Sequence, residues 1–181
     1  MSAAGGKRKC VFLDRDGIVN ERTYPGYIER WEDFRMLAPF PDVLRKVRAM
    51  GYVAVIITNQ RGVGLGSMTQ EAVDRIHANL RAQLKKEHGV ELLDIICCPH
   101  LCDACSCRKP QPGMLLDAAR RHGLDLSASW MIGDNESDVE AGRRAGCRTV
   151  LVAEAPADTV ATICLPSMEE LAVRIEDILA E

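Results

Sequence analysis

Apolar residues fall along this chain in two patterns. Short, predominantly apolar runs occur at Val11-Phe12-Leu13, at 52–57, at 92–96 around Asp94, at Ser129-Trp130-Met131-Ile132 and at Thr149-Val150-Leu151-Val152. Such runs mark strands covered on both faces. A short sixth run lies at 161–164. Between the runs, apolar residues recur every three or four positions, the spacing of amphipathic helices. Phe40, Val43, Leu44 and Val47 define one helix, with Pro41 in its first turn and Gly51 beyond its end. Thr69 caps a second running to about His88, whose buried face is Val73, Ile76, Leu80 and Leu84. His77 and His88 are placed on its surface. Met114 to His122 and the stretch from Gly133 to Ala145 supply two more. The last runs from Ser167 to Glu181, with Ser167 and Glu170 at capping-box spacing. Strand alternating with helix predicts an α/β fold built on a doubly wound parallel sheet. There is no repeat and no linker, so one domain is expected over 9–181, after a flexible tail at 1–8.

The polar residues are informative where they follow the apolar runs. The first run ends in Asp14-Arg15-Asp16-Gly17, the second in Thr58-Asn59-Gln60, the fourth in Gly133-Asp134-Asn135-Glu136-Ser137-Asp138. In open α/β sheets, ligands bind just beyond the carboxyl ends of the strands. Two like charges one residue apart repel unless a cation or a reaction keeps them there. A metal-dependent site with Asp14 as nucleophile is one reading; a solvated turn is the other. Thr58, Asn59 and Gln60 suit phosphate oxygens, and also suit a turn or a cap. The glycines at 62, 64 and 66 read as a flexible loop, and their spacing and position exclude a dinucleotide fingerprint.

Five of the eight cysteines fall between Cys97 and Cys107. That clustering favours a metal over a disulfide framework. Cys98, His100, Cys105 and Cys107 make a Cys₃His set of the kind that binds tetrahedral Zn²⁺, with Cys102 spare. Cys10, Cys147 and Cys164 read as small buried hydrophobes. Arg108 and Lys109 follow the cluster directly, so the metal loop would hold both cations rigidly.

A chain of 181 residues with a net charge of −3 gives no electrostatic case for nucleic acid or an anionic membrane. No apolar run is long enough to cross a bilayer, and no secretory signal is visible. A cytoplasmic monomer acting on a small molecule is expected.

Taken in order, Asp14-Arg15-Asp16-Gly17, Thr58-Asn59-Gln60, Arg108-Lys109-Pro110 and Gly133-Asp134 through Asp138 resemble the four motifs of the haloacid dehalogenase superfamily of phosphatases. The run from Cys98 to Pro110 is similar to the zinc-containing heptose bisphosphate phosphatases and the related histidinol-phosphate phosphatases, which lack a large cap domain. The resemblance implies that Asp14 is the nucleophile and Asp16 the acid and base. It implies Mg²⁺ held by Asp14, the Asp16 carbonyl and Asp134, with Asp138 orienting that shell. Thr58 and Lys109 would hold the phosphoryl group, and Asn59, Arg108, Asn135 and Tyr27 would face phosphate or sugar. The implied substrate is a heptose 1,7-bisphosphate losing its C7 phosphate, with histidinol phosphate or another small phosphorylated metabolite as alternative. A receiver-type signalling domain shares the acidic pocket, but it has no second aspartate two residues after the first.

Overall fold

The computed structural model describes residues 6–101, 105–154 and 158–181. Cys102 therefore lies outside the described residues. The chain runs β1 (Cys10–Leu13), α1 (Phe40–Ala49), β2 (Val53–Asn59), α2 (Arg61–Gly64), α3 (Gln70–His88), β3 (Asp94–Cys98), α4 (Gly113–His122), β4 (Trp130–Gly133), α5 (Glu136–Ala145), β5 (Arg148–Val152), β6 (Ile163–Leu165) and α6 (Met168–Ala180). Every strand pairing is parallel, and the order across the sheet is β3-β2-β1-β4-β5-β6. The chain winds outward from β1 to β3, then returns to the other side of β1 and winds outward again. The direction reverses between β1 and β4. A cleft opens at such a reversal, at the carboxyl ends of the two strands. Asp14 follows β1 there, and Asp134 follows β4.

The apolar runs have a direct cause. Successive side chains point to opposite faces of a strand, and both faces of this sheet are covered. Val11, Leu13, Ala54, Ile56 and Ile132 pack on one side with Phe40, Leu44, Ile76, Leu80, Leu171 and Ile175, from α1, α3 and α6. Cys10, Phe12, Val55, Ile57 and Met131 pack on the other, against Met114, Leu115 and Ala118 of α4 and Ala141 of α5. α3 begins at a Thr69 cap that accepts from the Ala72 amide and ends at Gly89 in the left-handed region. Ser167 caps α6 by accepting from the Glu170 amide.

Three expectations are corrected. His77 is buried, at 7% exposure. It stands four residues after Val73 and three before Leu80, squarely on the apolar face of α3, so the period alone could have located it. Cys164 is exposed, because β6 is the edge strand and its middle residue faces outward. The segment after β2 is the short helix α2, with Gly62 packed against Tyr27 and Met68. At the amino end, the Arg8 backbone donates to Gly123 and accepts from Asp125.

Candidate active site

The end of β1 carries the densest chemistry. The Asp14 amide donates to the Ile132 carbonyl, which ties the end of β1 to β4. One Asp14 carboxylate oxygen accepts from the Arg15 amide at 2.7 Å and from Lys109 Nζ at 2.6 Å. Lys109 is itself buried, and its ammonium also meets Asp138 at 2.6 Å and the Ile57 carbonyl at 2.9 Å. Burial opposes a charge on Lys109, but Asp138 and Asp14 outweigh it and push the ammonium up. Asn59 fixes the lysine backbone: its side chain donates to the Lys109 carbonyl and accepts from the Lys109 amide, both at 3.1 Å.

Gly17 makes the turn after the aspartates. It has φ +99°, and a Cβ there would overlap the Asp134 carboxylate. The chain then folds back on itself. The Gly17 amide donates to Asn20, and the Val19 and Asn20 amides donate to the Arg15 carbonyl. Asp16 Oδ1 accepts from Asn20 Nδ2 at 2.9 Å and from Arg15 Nη2 at 3.0 Å. Arg15 is 1% exposed.

At the end of β4, Asn135 caps α5. Its side chain accepts from the Ser137 amide, and Asp138 accepts in return from the Asn135 amide. Asp138 comes so close to Gly133 that any Cβ there would overlap it. Asp134 meets Arg22, whose Nη2 donates at 2.5 Å while its Nε reaches the Asp16 carbonyl at 3.4 Å.

Asp14, Asp134 and Asp138 bring carboxylate oxygens within 4.8 Å of one another. Burial, strengthened by the Asp138 charge and opposed by Lys109, pushes Asp14 up to about 7. Burial likewise pushes Asp134 up to about 6 against the pull of Arg22. Carboxylates held together where ionisation is unfavourable fit an oxygen-liganded divalent cation.

A second donor set lies where β3 ends. Cys98 Sγ is 3.5 Å from Cys105 Sγ and 3.1 Å from Cys107 Sγ; His100 Nδ1 is 3.4 Å from Cys98 and 3.3 Å from Cys107. Burial, then hydrogen bonding with Cys98 and Cys105, drives the Cys107 thiol well up. Four donor atoms this close could hold a metal ion, which would keep the thiols ionised, and the Cys₃His set suits Zn²⁺.

A cleft of about 460 Å³ opens over the ends of β1, β2 and β4, lined by Asp14, Asp16, Tyr27, Asn59, Lys109, Asn135 and Asp138 among others. That volume suits a small metabolite. Thr58, Arg108 and Asp134 are not on its lining. The Thr58 hydroxyl meets the Gln60 amide at 2.9 Å, and Arg108 donates to the His100 carbonyl at 3.4 Å. Arg15 and Arg22 line the cleft without having been anticipated as site residues, and Gln60, grouped with Thr58 and Asn59 as a phosphate binder, lines it as well. The aromatic stretch after β1 forms one wall, and Tyr24 there is 95% exposed.

The HAD-hydrolase-like family model matches residues 106–161. A D-glycero-alpha-D-manno-heptose-1,7-bisphosphate 7-phosphatase of Mycobacterium bovis is 37% identical over 177 residues, covering 94% of this chain and 93% of that protein. A D-glycero-beta-D-manno-heptose-1,7-bisphosphate 7-phosphatase of Helicobacter pylori is 39% identical over 145 residues, covering 80% and 83%. Among solved structures, the D,D-heptose 1,7-bisphosphate phosphatase of B. bronchiseptica, complexed with magnesium and phosphate, matches with a TM-score of 0.81 at 27% identity over 94% of this chain and 99% of that one. The chain belongs to the haloacid-dehalogenase-like hydrolases, in the family of the heptose-1,7-bisphosphate 7-phosphatases.

Proposed function

We propose that the protein removes the C7 phosphate of a D-glycero-D-manno-heptose 1,7-bisphosphate through an aspartyl-phosphate on Asp14, as a cytoplasmic monomer. The observation that carries this reading is the pair Asp14 and Asp16, side by side on one cleft wall, with the Lys109 ammonium 2.6 Å from Asp14. An Asp14 oxygen attacks phosphorus as the bond to the sugar oxygen breaks, and Asp16 gives that oxygen its proton. Water then attacks the phosphorus of the aspartyl-phosphate and loses its proton to Asp16. The bond to Asp14 breaks, and inorganic phosphate leaves. Lys109 offsets the charge that builds on the phosphoryl oxygens. Asp14, the Asp16 carbonyl and Asp134 would hold Mg²⁺, which when bound supplies charge neutralisation at the phosphoryl group. Cys98, His100, Cys105 and Cys107 would hold a structural Zn²⁺ that fixes the loop leading to Lys109.

The test is phosphate release from heptose 1,7-bisphosphates of both anomers and from histidinol phosphate, with Mg²⁺, for the native protein and Asp14→Asn. Preference for a heptose bisphosphate, abolished in Asp14→Asn, is expected. Faster histidinol phosphate turnover would replace the substrate, and an active Asp14→Asn would remove the nucleophile.

A further inference from the structure

Asp16 is held by buried Arg15, which is backed in turn by buried His77, and neither takes part in the chemistry above. Arg15 reaches Asp16 Oδ1 with Nη2 at 3.0 Å and with Nε at 3.3 Å. The far corner of the same guanidinium, Nη1, lies 3.5 Å from Nε2 of His77, which α3 delivers from 62 residues further along the chain. The Gln60 amide stands beside them. Turning its nitrogen to the guanidinium would set donors against donors. With its oxygen there it accepts from Nη1 at 3.2 Å, from Nη2 at 3.1 Å and from the Thr58 hydroxyl at 2.9 Å. A guanidinium has five donors and no acceptor, and this one is enclosed. Each of its edges is therefore directed to a partner, and the edge facing Asp16 has little freedom to turn.

We propose that His77 is a positioning residue for Asp16: as a neutral acceptor it locks Arg15, and Arg15 in turn fixes which oxygen of Asp16 is free to exchange a proton in the cleft. Oδ1 is saturated by Arg15 and Asn20. Oδ2 takes neither of those bonds; its one neighbour among these residues is the Gln60 amide at 3.3 Å, and it serves the substrate oxygen and then the water. Burial, and then the charge of Arg15, holds the His77 imidazole down at about 4, so it stays an acceptor across neutral pH. A purely structural role would need only shape at this position, which an apolar residue could supply. Without His77 one Nη1 hydrogen has no acceptor in a buried site and Gln60 alone holds that corner, so the guanidinium can shift and Asp16 with it.

The inference rests on the reading of Asp16 as acid and base, so the experiment separates the two. p-Nitrophenyl phosphate has a leaving group that needs no proton, so it phosphorylates Asp14 without help from Asp16. Hydrolysis of the phosphoenzyme still needs the base. Rapid-quench measurement with this substrate and Mg²⁺ gives both rates for native protein, Asp16→Asn, His77→Leu, His77→Gln and Leu84→Ala. Asp16→Asn is expected to form phosphoenzyme and retain it. His77→Leu should form it at near the native rate and hydrolyse it about tenfold to a hundredfold more slowly, part of the 10²–10⁴ that acid–base catalysis contributes. His77→Gln, which keeps an acceptor, should recover most of the loss. Leu84→Ala, buried on the same helix away from Arg15, should lower stability and leave the ratio of the two rates unchanged. If Asp16→Asn retains phosphoenzyme but His77→Leu partitions like native protein, the positioning role is overturned and the reading of Asp16 stands. If His77→Gln is as slow as His77→Leu, the acceptor is not what matters and the proposal also fails. If Asp16→Asn hydrolyses phosphoenzyme at the native rate, the reading of Asp16 itself is gone.

Discussion

Lys109 and Asp138 form an ion pair of 2.6 Å in which both side chains are almost wholly buried. One arrives on the loop after the cysteine cluster and the other on the first turn of α5, so the pair ties together the two ends of the cleft floor. Asp14 takes a second bond from the same ammonium. One cation thus serves two carboxylates, and removing it leaves both buried with only backbone amides and no countercharge. Breaking a buried pair on one side costs about 3–5 kcal/mol. Lys109→Met is therefore expected to unfold at clearly lower urea, with phosphate release down by about 10²–10³-fold from the lost charge alone. Adding Asp138→Asn to Lys109→Met removes one of the stranded charges and should return part of the stability, a non-additive result in a double-mutant cycle. Equal urea midpoints for native protein and Lys109→Met would show that the pair does not hold the floor.

His77 gives the metal-free protein a specific acid sensitivity. Its folded pKa of about 4 lies below the ordinary imidazole value, from burial first and Arg15 second. Between the two values the unfolded chain binds more protons than the folded one, so folding stability rises with pH there. The contribution is fully present above about 6.5 and is lost as pH falls toward 4, up to about 3 kcal/mol in all. Urea unfolding at several pH values across this window should show a smaller fall for His77→Gln than for native protein. Parallel curves for the two would remove the titration of His77 from the account.

The sheet was legible because its strands are covered on both sides. The runs at Val11 and Trp130 have no polar residue to confuse them, and they proved to be central strands. The aspartates at their ends were legible because charge at the mouth of such a strand has no packing use. What stayed hidden was carried by side chains whose partners are distant in sequence. Nothing local to Arg22 says that it will reach Asp134, 112 residues away. His77 is the instructive miss: the helical period placed it inward, but a titratable side chain was read as a surface residue. Asn135 is another: expected to face phosphate or sugar, it caps α5 in a reciprocal bond with Asp138, three residues on.

Arg22 stands against the groups that would hold Mg²⁺. Its guanidinium contacts both Asp134 and the Asp16 carbonyl. A second cation at those oxygens must displace it or tolerate its charge. Because the Arg22 side chain is half exposed, solvent screens the effect to about 1 kcal/mol. Arg22→Gln should therefore bind Mg²⁺ about fivefold more tightly, read directly by titration calorimetry without substrate. Unchanged or weaker Mg²⁺ binding would mean that Arg22 does not compete for the site.

The cysteine cluster bears on the cleft through Lys109, which follows Cys107 by two residues. Cys98 closes β3, and the Arg108 amide donates to Cys105 Sγ at 3.4 Å, so the backbone entering Lys109 is already bonded to the donor set. Loss of the metal should loosen this backbone first and the sheet hardly at all. Elemental analysis is expected to find one zinc per chain in native protein and close to none in Cys105→Ser. The variant should melt at a temperature lower by about 5–10 °C, since metal binding adds to folding free energy. Native protein stripped with a chelator and then given Mg²⁺ alone should stay impaired in phosphate release, and should recover when Zn²⁺ is returned. Because the cluster contributes only the last residue of β3 to the sheet, far-ultraviolet circular dichroism should change little throughout. Full recovery with Mg²⁺ alone would detach the cysteine cluster from the cleft, and absence of zinc from native protein would leave the crowded thiols to be explained by another cation.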